Sequence, residues 1–243
     1  MSQLQLPLVQ ETSGPVDVGP GAVWVPGWLD TGAQLELIDA FHEWAAPPAG
    51  LRRPKMPNGA PFSTLAVCHG WHWFPYRYSR TCDDGDGAPV KAFPPLLAKL
   101  GATACAAAGF QPVAYDAAIV NLYGPGAKLG LHQDKIEGAD VLASGSPVVT
   151  ISLGDSCVFR FGNTERPSRP YEDLHLASGD LFVFGGPSRL AYHGVPKIYG
   201  GSANPTLGID GRISITLREV GGDWPAGAGA RHGRGNAQNR SAV

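Results

Sequence analysis

Apolar positions change their spacing part-way along the chain. Ala22-Val-Trp-Val-Pro-Gly-Trp28 reads as a short strand and a turn. Thr31-Gly-Ala-Gln34 then has the form of a capping box, in which the Thr31 hydroxyl and the Gln34 side chain serve free backbone N–H groups. The helix it opens is expected to place Leu35, Ile38, Phe41 and Trp44 on one face, and Pro47-Pro48 stop it. A second helix is predicted from Pro94-Pro95, where proline is tolerated in the first turn, through an alanine-rich run to Gly109. From Tyr115 onward the signal is that of strands, predicted at 117–123, 148–153, 157–161, 175–176, 180–184, 191–195 and 212–218. Turn chemistry separates them at Ser178-Gly179, at Gly185-Gly-Pro187 and from Gly208 to Gly211. Many short strands so punctuated predict a sandwich or jelly roll. No internal repeat is present.

Composition adds bounds to this pattern. A chain of 243 residues holds one large domain, or one domain with a small elaboration. Its 33 glycines and 22 prolines fit a turn-rich, mainly β architecture. No apolar run approaches the roughly 20 residues that cross a bilayer. The N-terminus lacks a basic region followed by an apolar stretch, so a soluble, cytoplasmic protein is expected. Residues 1–20 are expected to form a mobile arm, and 221–243, with His232, a disordered tail. Cys68, Cys82, Cys105 and Cys157 form no C-x-x-C pair. Zinc-finger spacing is absent, and four free thiols are expected, with Cys105 and Cys157 in the core. A net charge of -2 does not by itself announce nucleic acid, which usually attracts a basic excess. Arg77, Arg80, Arg160, Arg166 and Arg169 are candidates for a local basic face. The acidic run at 82–87 reads as a surface loop.

Candidate chemistry centres on the segment from Asn121 to Asp134. His132-x-Asp134 puts an imidazole and a carboxylate two residues apart, on one face if the segment is extended. With a second histidine, this is the facial triad that leaves positions open on non-haem Fe(II). His193 is the candidate, beside Gly194, which lets backbone approach a ligand closely. The alternative is a hydrogen-bonded core histidine. His175 reads as structural or surface. Arg212, Ser214, Thr216 and Arg218 share one face of a predicted strand. Two inward arginines require an anion, either a bound acid or buried carboxylates such as Asp134 or Glu172.

These motifs together resemble the AlkB family of Fe(II)/2-oxoglutarate-dependent dioxygenases. The match comprises Asn121-x-Tyr123 with Pro125-Gly-Ala-Lys-Leu, His132-x-Asp134, Ser152-Leu-Gly, Phe161-Gly, Gly179-Asp, Gly185-Gly-x-Ser-Arg-x-x-Tyr-His193-Gly and Arg212-x-Ser-x-Thr-x-Arg218. It runs from about residue 115 to 220 and weakens through 60–80. The resemblance implies an α+β, mainly β fold: a double-stranded β-helix over 115–220. It implies an N-terminal extension over 21–114, with helices and a nucleotide-recognition lid at about 60–90. It implies Fe(II) on His132, Asp134 and His193, 2-oxoglutarate on Asn121, Tyr123, Arg212, Ser214 and Arg218, and O2 as oxidant.

The implied reaction is oxidative dealkylation of N-alkylated bases in DNA, of the 1-methyladenine and 3-methylcytosine type. It would be coupled to decarboxylation of 2-oxoglutarate to succinate and would release an aldehyde. Such an enzyme must hold a base outside the stack between flat side chains. Trp71, or Trp73, is expected to do so with the His132 ring. Tyr76, Arg77 and Tyr78 would meet the adjoining phosphate, and Arg166 a further part of the substrate. Phe62 and Phe74 read as a satellite core. Ile136 stands where the family has an acidic base-reading residue, and Glu137, one residue on, would face the other way. Ser214 stands where a longer amide is common. The expected partner is alkylated DNA, single-stranded or with a flipped base, met by a monomer. RNA or protein substrates are the alternatives within the class. A non-catalytic β-sandwich with structural zinc is the alternative outside it, and it mismatches the ligand set.

Overall fold

The computed structural model describes residues 14–221; the predicted tail beyond 221, with His232, and residues 1–13 lie outside the described residues. The N-terminal half contains β1 (Val16–Gly19), β2 (Ala22–Val25), α1 (Thr31–Ala45), β3 (Leu65–His69), β4 (His72–Phe74), β5 (Arg77–Ser79) and α2 (Pro95–Ala107). There follow β6 (Ala117–Tyr123), β7 (Leu129–His132), α3 (Ala139–Ser144), β8 (Val148–Gly154), β9 (Cys157–Gly162), β10 (Tyr171–Leu176), β11 (Leu181–Phe184), β12 (His193–Ile198) and β13 (Arg212–Arg218). The major sheet has the order β1-β2-β11-β8-β13-β6-β3, the minor sheet β10-β9-β12-β7, and β4-β5 form a separate hairpin.

The two sheets form a jelly roll, as the strand pattern predicts. Phe159 and Phe161 from β9 meet Phe182 and Phe184 from β11 across the gap between them. The other face of the major sheet is covered by α1 and α2, through a core that includes Leu37, Phe41, Leu97 and Cys105. Strand alternation sorts β13 between these two environments. Ile213, Ile215 and Leu217 join the helix-side core, each contributing about 1.5–3 kcal/mol by burial. Ser214, Thr216 and Arg218 consequently line the gap between the sheets.

Several local expectations are corrected. Asp30, not Thr31, caps α1, accepting from the Ala33 N–H at 2.8 Å. Gln34 instead bonds the Leu29 carbonyl and the Ser178 hydroxyl, tying the helix to the strand layer. Leu37, not Leu35, completes the buried stripe, because the helix is rotated to bury Gln34, Leu37, Ile38, Phe41 and Trp44. Val16–Gly19 is a strand inside the expected arm, held by pairing with β2. The major sheet also crosses the boundary expected at residue 115, since β1, β2 and β3 belong to it. His132 ends a strand of its own, β7, rather than extending β6. All four cysteines are free and buried.

Candidate active site

Antiparallel pairing of β7 with β12 puts His132 directly opposite His193. Their ring centroids are 4.5 Å apart. Asp134, just beyond β7, reaches both: its Oδ1 lies 3.7 Å from His132 Nε2 and its Oδ2 3.6 Å from His193 Nε2. These separations are too long for hydrogen bonds. They suit atoms sharing one ion at about 2 Å from each. Each histidine bonds through Nδ1 to a carbonyl of its own chain segment, His132 to Gly130 and His193 to Ala191, both at 3.0 Å. Nδ1 thus carries the proton and Nε2 is left as a lone-pair donor. Burial, reinforced by His132, lowers His193 to about 4. Burial would raise Asp134, but Arg218, with the two histidines behind it, holds the carboxyl down to about 2. Asp134 and His193 are therefore in the protonation state that a cation needs.

Gly194 sits beside His193 because a Cβ there would lie 2.7 Å from the Leu129 carbonyl oxygen and 2.8 Å from that of Gly130. The close approach is to β7, not to a ligand. The bare backbone lets the two histidine-bearing strands close together.

Around Asp134 lies a buried charge network that sequence reasoning did not assemble. Arg218 Nη2 bonds Asp134 Oδ1 at 2.5 Å, and Arg189 Nη1 bonds the Asp134 carbonyl at 2.6 Å. Both arginines also meet Glu137, Arg189 at 3.2 Å and Arg218 at 3.3 Å, while the Tyr78 hydroxyl donates to Glu137 at 2.8 Å. Two cations and two carboxylates balance. Glu137 thus turns inward despite its offset from Asp134, because Asp134 lies beyond the strand and alternation does not govern it. Arg189 belongs to the Gly185-to-Gly194 motif, the only signal that marks it.

Arg212 behaves differently. It is fully buried and donates Nη2 to Ser152 Oγ at 2.9 Å, while its Nε and Nη1 have no partner among the described residues. The two readings of the strand arginines divide between them: Arg218 is matched by Asp134, as the carboxylate reading expects, and Arg212 is left for another anion. Glu172, the other carboxylate considered, is exposed on β10. Beside Arg212, in register on β6, is buried Tyr123, whose hydroxyl is pushed up by burial against the pull of that guanidinium.

Two cavities meet at the histidines. A narrow one of about 40 Å³ runs between the sheets, lined by Asn121, Tyr123, Thr150, His193, Ser214 and Arg218. A wider one of about 370 Å³ opens outward, lined by Phe62, Trp73, Tyr76, Asp134, Ile136 and Arg218 among others. Asn121, Leu129, His132 and Arg218 border both.

The structure separates the expected substrate contacts. Tyr76 is at the rim of the wide cavity, 67 % exposed and held at φ 72°. Trp73 lines that cavity, with Phe62 edge-on to its ring, so Phe62 is a wall residue rather than satellite core. Trp71 is buried beneath the lid instead. Its Nε1 donates to Asp116, and the Arg80 guanidinium covers its ring at 3.3 Å. Its neighbour in that cluster, Tyr78, is also buried and committed to Glu137 and Arg218, so it cannot meet a phosphate. Ile136 packs against the same cluster while facing the cavity. Arg77 lies over Phe74 and pairs with Asp83. Arg166 lies in the exposed turn after β9 and lines neither cavity. Of the candidate basic face, Arg160 is paired with Asp173 and Arg169 lies over Tyr171. His175 is exposed and lies against Tyr199, as expected of a surface residue.

A jelly roll with a His-Asp-His triad between its sheets defines an oxygenase class, and the sequence comparisons agree. The family model of the 2OG-Fe(II) oxygenase superfamily matches residues 21–218. The chain is 38 % identical over 218 residues to an alpha-ketoglutarate-dependent dioxygenase AlkB homolog of Caulobacter vibrioides, covering 87 % of this chain and 93 % of that protein. It is 29 % identical over 220 residues to the DNA N(6)-methyladenine demethylase ALKBH1D of Arabidopsis thaliana, covering 83 % and 50 %. Among solved structures, that of OsALKBH1 superposes with a TM-score of 0.77 at 31 % identity, over 84 % of this chain and all of the other. The chain belongs to the AlkB family of 2OG-Fe(II) dioxygenases. That class uses Fe(II) as its metal, with 2-oxoglutarate and O2 as co-substrates. No helix among the described residues is long and apolar enough to cross a membrane.

Proposed function

We propose that this dioxygenase removes alkyl groups from nucleic-acid bases, with DNA carrying 1-methyladenine- or 3-methylcytosine-type lesions as substrate. The observation that carries the reading is the junction of two cavities at the triad, one lined by Tyr123, the register partner of the half-satisfied Arg212, and the other walled by aromatic rings. The relationship to a protein named as a DNA demethylase supports a nucleic-acid substrate.

The residues fit the implied groups. Asp134 Oδ2 is buried without a hydrogen-bond partner, facing His193, as a ligand oxygen awaiting a cation would be. His132, Asp134 and His193 would hold Fe(II), which with 2-oxoglutarate and O2 supplies oxidation of the alkyl carbon attached to nitrogen. Arg212 and Tyr123 offer a cation and a hydroxyl to one carboxylate of 2-oxoglutarate. Asn121, Ser214 and Arg218 line the path from there to the triad. Trp73 and the His132 ring offer flat surfaces to a base, and Tyr76 stands at the mouth where its phosphate would lie. The apolar wall excludes water around the reacting carbon. The hydroxylated carbon would leave as an aldehyde, with the repaired base, succinate and CO2 as the other products.

The test is anaerobic loading with Fe(II) and 2-oxoglutarate, then air, with methylated single-stranded DNA and RNA oligonucleotides in parallel. Succinate and unmodified base, in greater yield from DNA, are expected. Iron-loaded protein that consumes no 2-oxoglutarate would overturn the reading, and faster repair of RNA would reassign the substrate.

A further inference from the structure

A second cluster of ligand-type side chains lies beneath the lid. His72 on β4 and Cys82 and Asp84 in the loop after β5 each offer a donor atom, all within 4.8 Å of one another. His72 and Cys82 are buried. Cys68 on β3 lies beside this trio rather than within its mutual 4.8 Å spacing, with its Sγ 3.7 Å from Arg52 Nη1, the guanidinium that also holds Asp84. The sequence suggested an exposed acidic loop and no zinc spacing. The fold instead brings together Cys68-x-x-x-His72 from one arm and Cys82-x-Asp84 from the other.

We propose that this cluster is a structural Zn²⁺ site, with His72, Cys82 and Asp84 as ligands and Cys68 as the fourth. Four observations support it. The donor set is two sulfurs, one imidazole nitrogen and one carboxylate oxygen, which suits zinc and closes a four-coordinate site. Asp84 Oδ2 is buried with no hydrogen-bond partner, although Oδ1 is engaged by His72 at 2.7 Å and by Arg52 at 2.5 Å. The charges also balance: two thiolates and a carboxylate carry one negative charge more than the ion neutralises, and Arg52 supplies the compensating positive charge. Its Nη1 lies 3.7 Å from Cys68 Sγ, so it contacts donors from both arms. Finally, the turn is built around the sulfur. The Gly85 N–H bonds the Cys82 carbonyl at 3.0 Å, and a Cβ at Gly85 would fall 2.5 Å from Cys82 Sγ.

Such a site would tie β4 and the loop beyond β5 to β3, a buried strand of the major sheet. Trp73 follows His72 directly, so the ion would fix one wall of the wide cavity. The inference does not depend on the substrate assigned to the iron site.

Cobalt distinguishes the two centres. In full-length protein carrying His132→Ala and His193→Ala, one equivalent of Co²⁺ is expected to give a thiolate-to-metal charge-transfer band and the strong visible bands of tetrahedral cobalt. Cys82→Ser should weaken the charge-transfer band, and Cys82→Ser combined with Cys68→Ser should remove it, whereas Cys105→Ser, on α2 and away from the cluster, should keep it in full. Absence of the band, or its undiminished survival in folded Cys82→Ser protein, would overturn the proposal. X-ray absorption at the zinc edge, on protein with the cluster unaltered, covers the case in which Cys82→Ser does not fold. Sulfur in the first shell is expected there. A shell of nitrogen and oxygen alone, or no zinc retained after gel filtration, would overturn it.

Discussion

The three triad residues are not equivalent to the fold. Asp134 is buried and paired with Arg218, so its removal leaves an uncompensated cation in the interior. Asp134→Ala is expected to cost about 3–5 kcal/mol of stability, measured by urea unfolding of metal-free protein. His132 is 35 % exposed on an edge strand, and His132→Ala should cost only about 0.5–1 kcal/mol while abolishing turnover. Equal stability losses in the two variants would refute this asymmetry. The arginine network is also why an inactive Asp134 variant is a poor reporter of metal binding alone. Ile136 makes a separate point at this scale. It borders the wide cavity with an apolar side chain where the family has a carboxylate. Ile136→Asp is expected to change the ratio of 1-methyladenine to 3-methylcytosine repair by favouring contact with the cationic base. An unchanged ratio in competition assays would remove Ile136 from base selection.

At the scale of elements, legibility followed the length of the periodic signal. β13 alternates over seven residues, and its assignment of Ile213, Ile215 and Leu217 to one side and the arginines to the other needs nothing beyond pleat geometry. β7 spans only Leu129–His132 and includes a glycine, so it offers too short a pattern to detect. The lid hairpin is shorter still, and the turn at Gly70, with φ 71°, resets alternation before Trp71 and Trp73. Spacing therefore could not say which tryptophan faces the cavity. Arg189 and Glu137 pair across 52 positions of sequence, and no local rule connects them. Gly194 shows how an element can carry function without a side chain. Gly194→Ala would force β12 away from β7 and separate His193 from His132. Iron affinity should fall at least tenfold, read by isothermal titration under anaerobic conditions, whereas stability should fall by about 1–3 kcal/mol. Unchanged affinity would mean that the strands adjust independently of the ligands.

For the molecule as a whole, separate apolar clusters fill the helix side of the major sheet, the inter-sheet gap and the space beneath the lid. His69 lies at the border of the helix core, edge-on to Trp44, with Nδ1 against the Ala92 carbonyl. Burial lowers it to about 4, against the opposing effect of that carbonyl. The unfolded chain takes up this proton as pH falls below about 6.5, and the folded chain only near 4. Folding stability from this residue is thus fully present above 6.5 and is lost between those values. Urea midpoints at pH 7 and pH 5 are expected to differ by the equivalent of about 1–3 kcal/mol from His69, a difference that His69→Gln should abolish. An identical pH slope in the variant would place the acid sensitivity elsewhere.

On the proposed reading, Arg212 would couple this interior to metabolism. A guanidinium buried with two nitrogens unpartnered among the described residues is a standing cost to the empty protein, which a bound organic acid would offset. The co-substrate would then act on the folding equilibrium as well as on the reaction, by mass action. In cells short of 2-oxoglutarate, the enzyme would be slower and shorter-lived at once, so its abundance would follow carbon supply without any dedicated regulator. Metal-free protein should melt several degrees higher in saturating 2-oxoglutarate. Arg212→Met should raise the melting temperature of the empty form and erase that rise. A variant that keeps the full shift would uncouple the arginine from the acid.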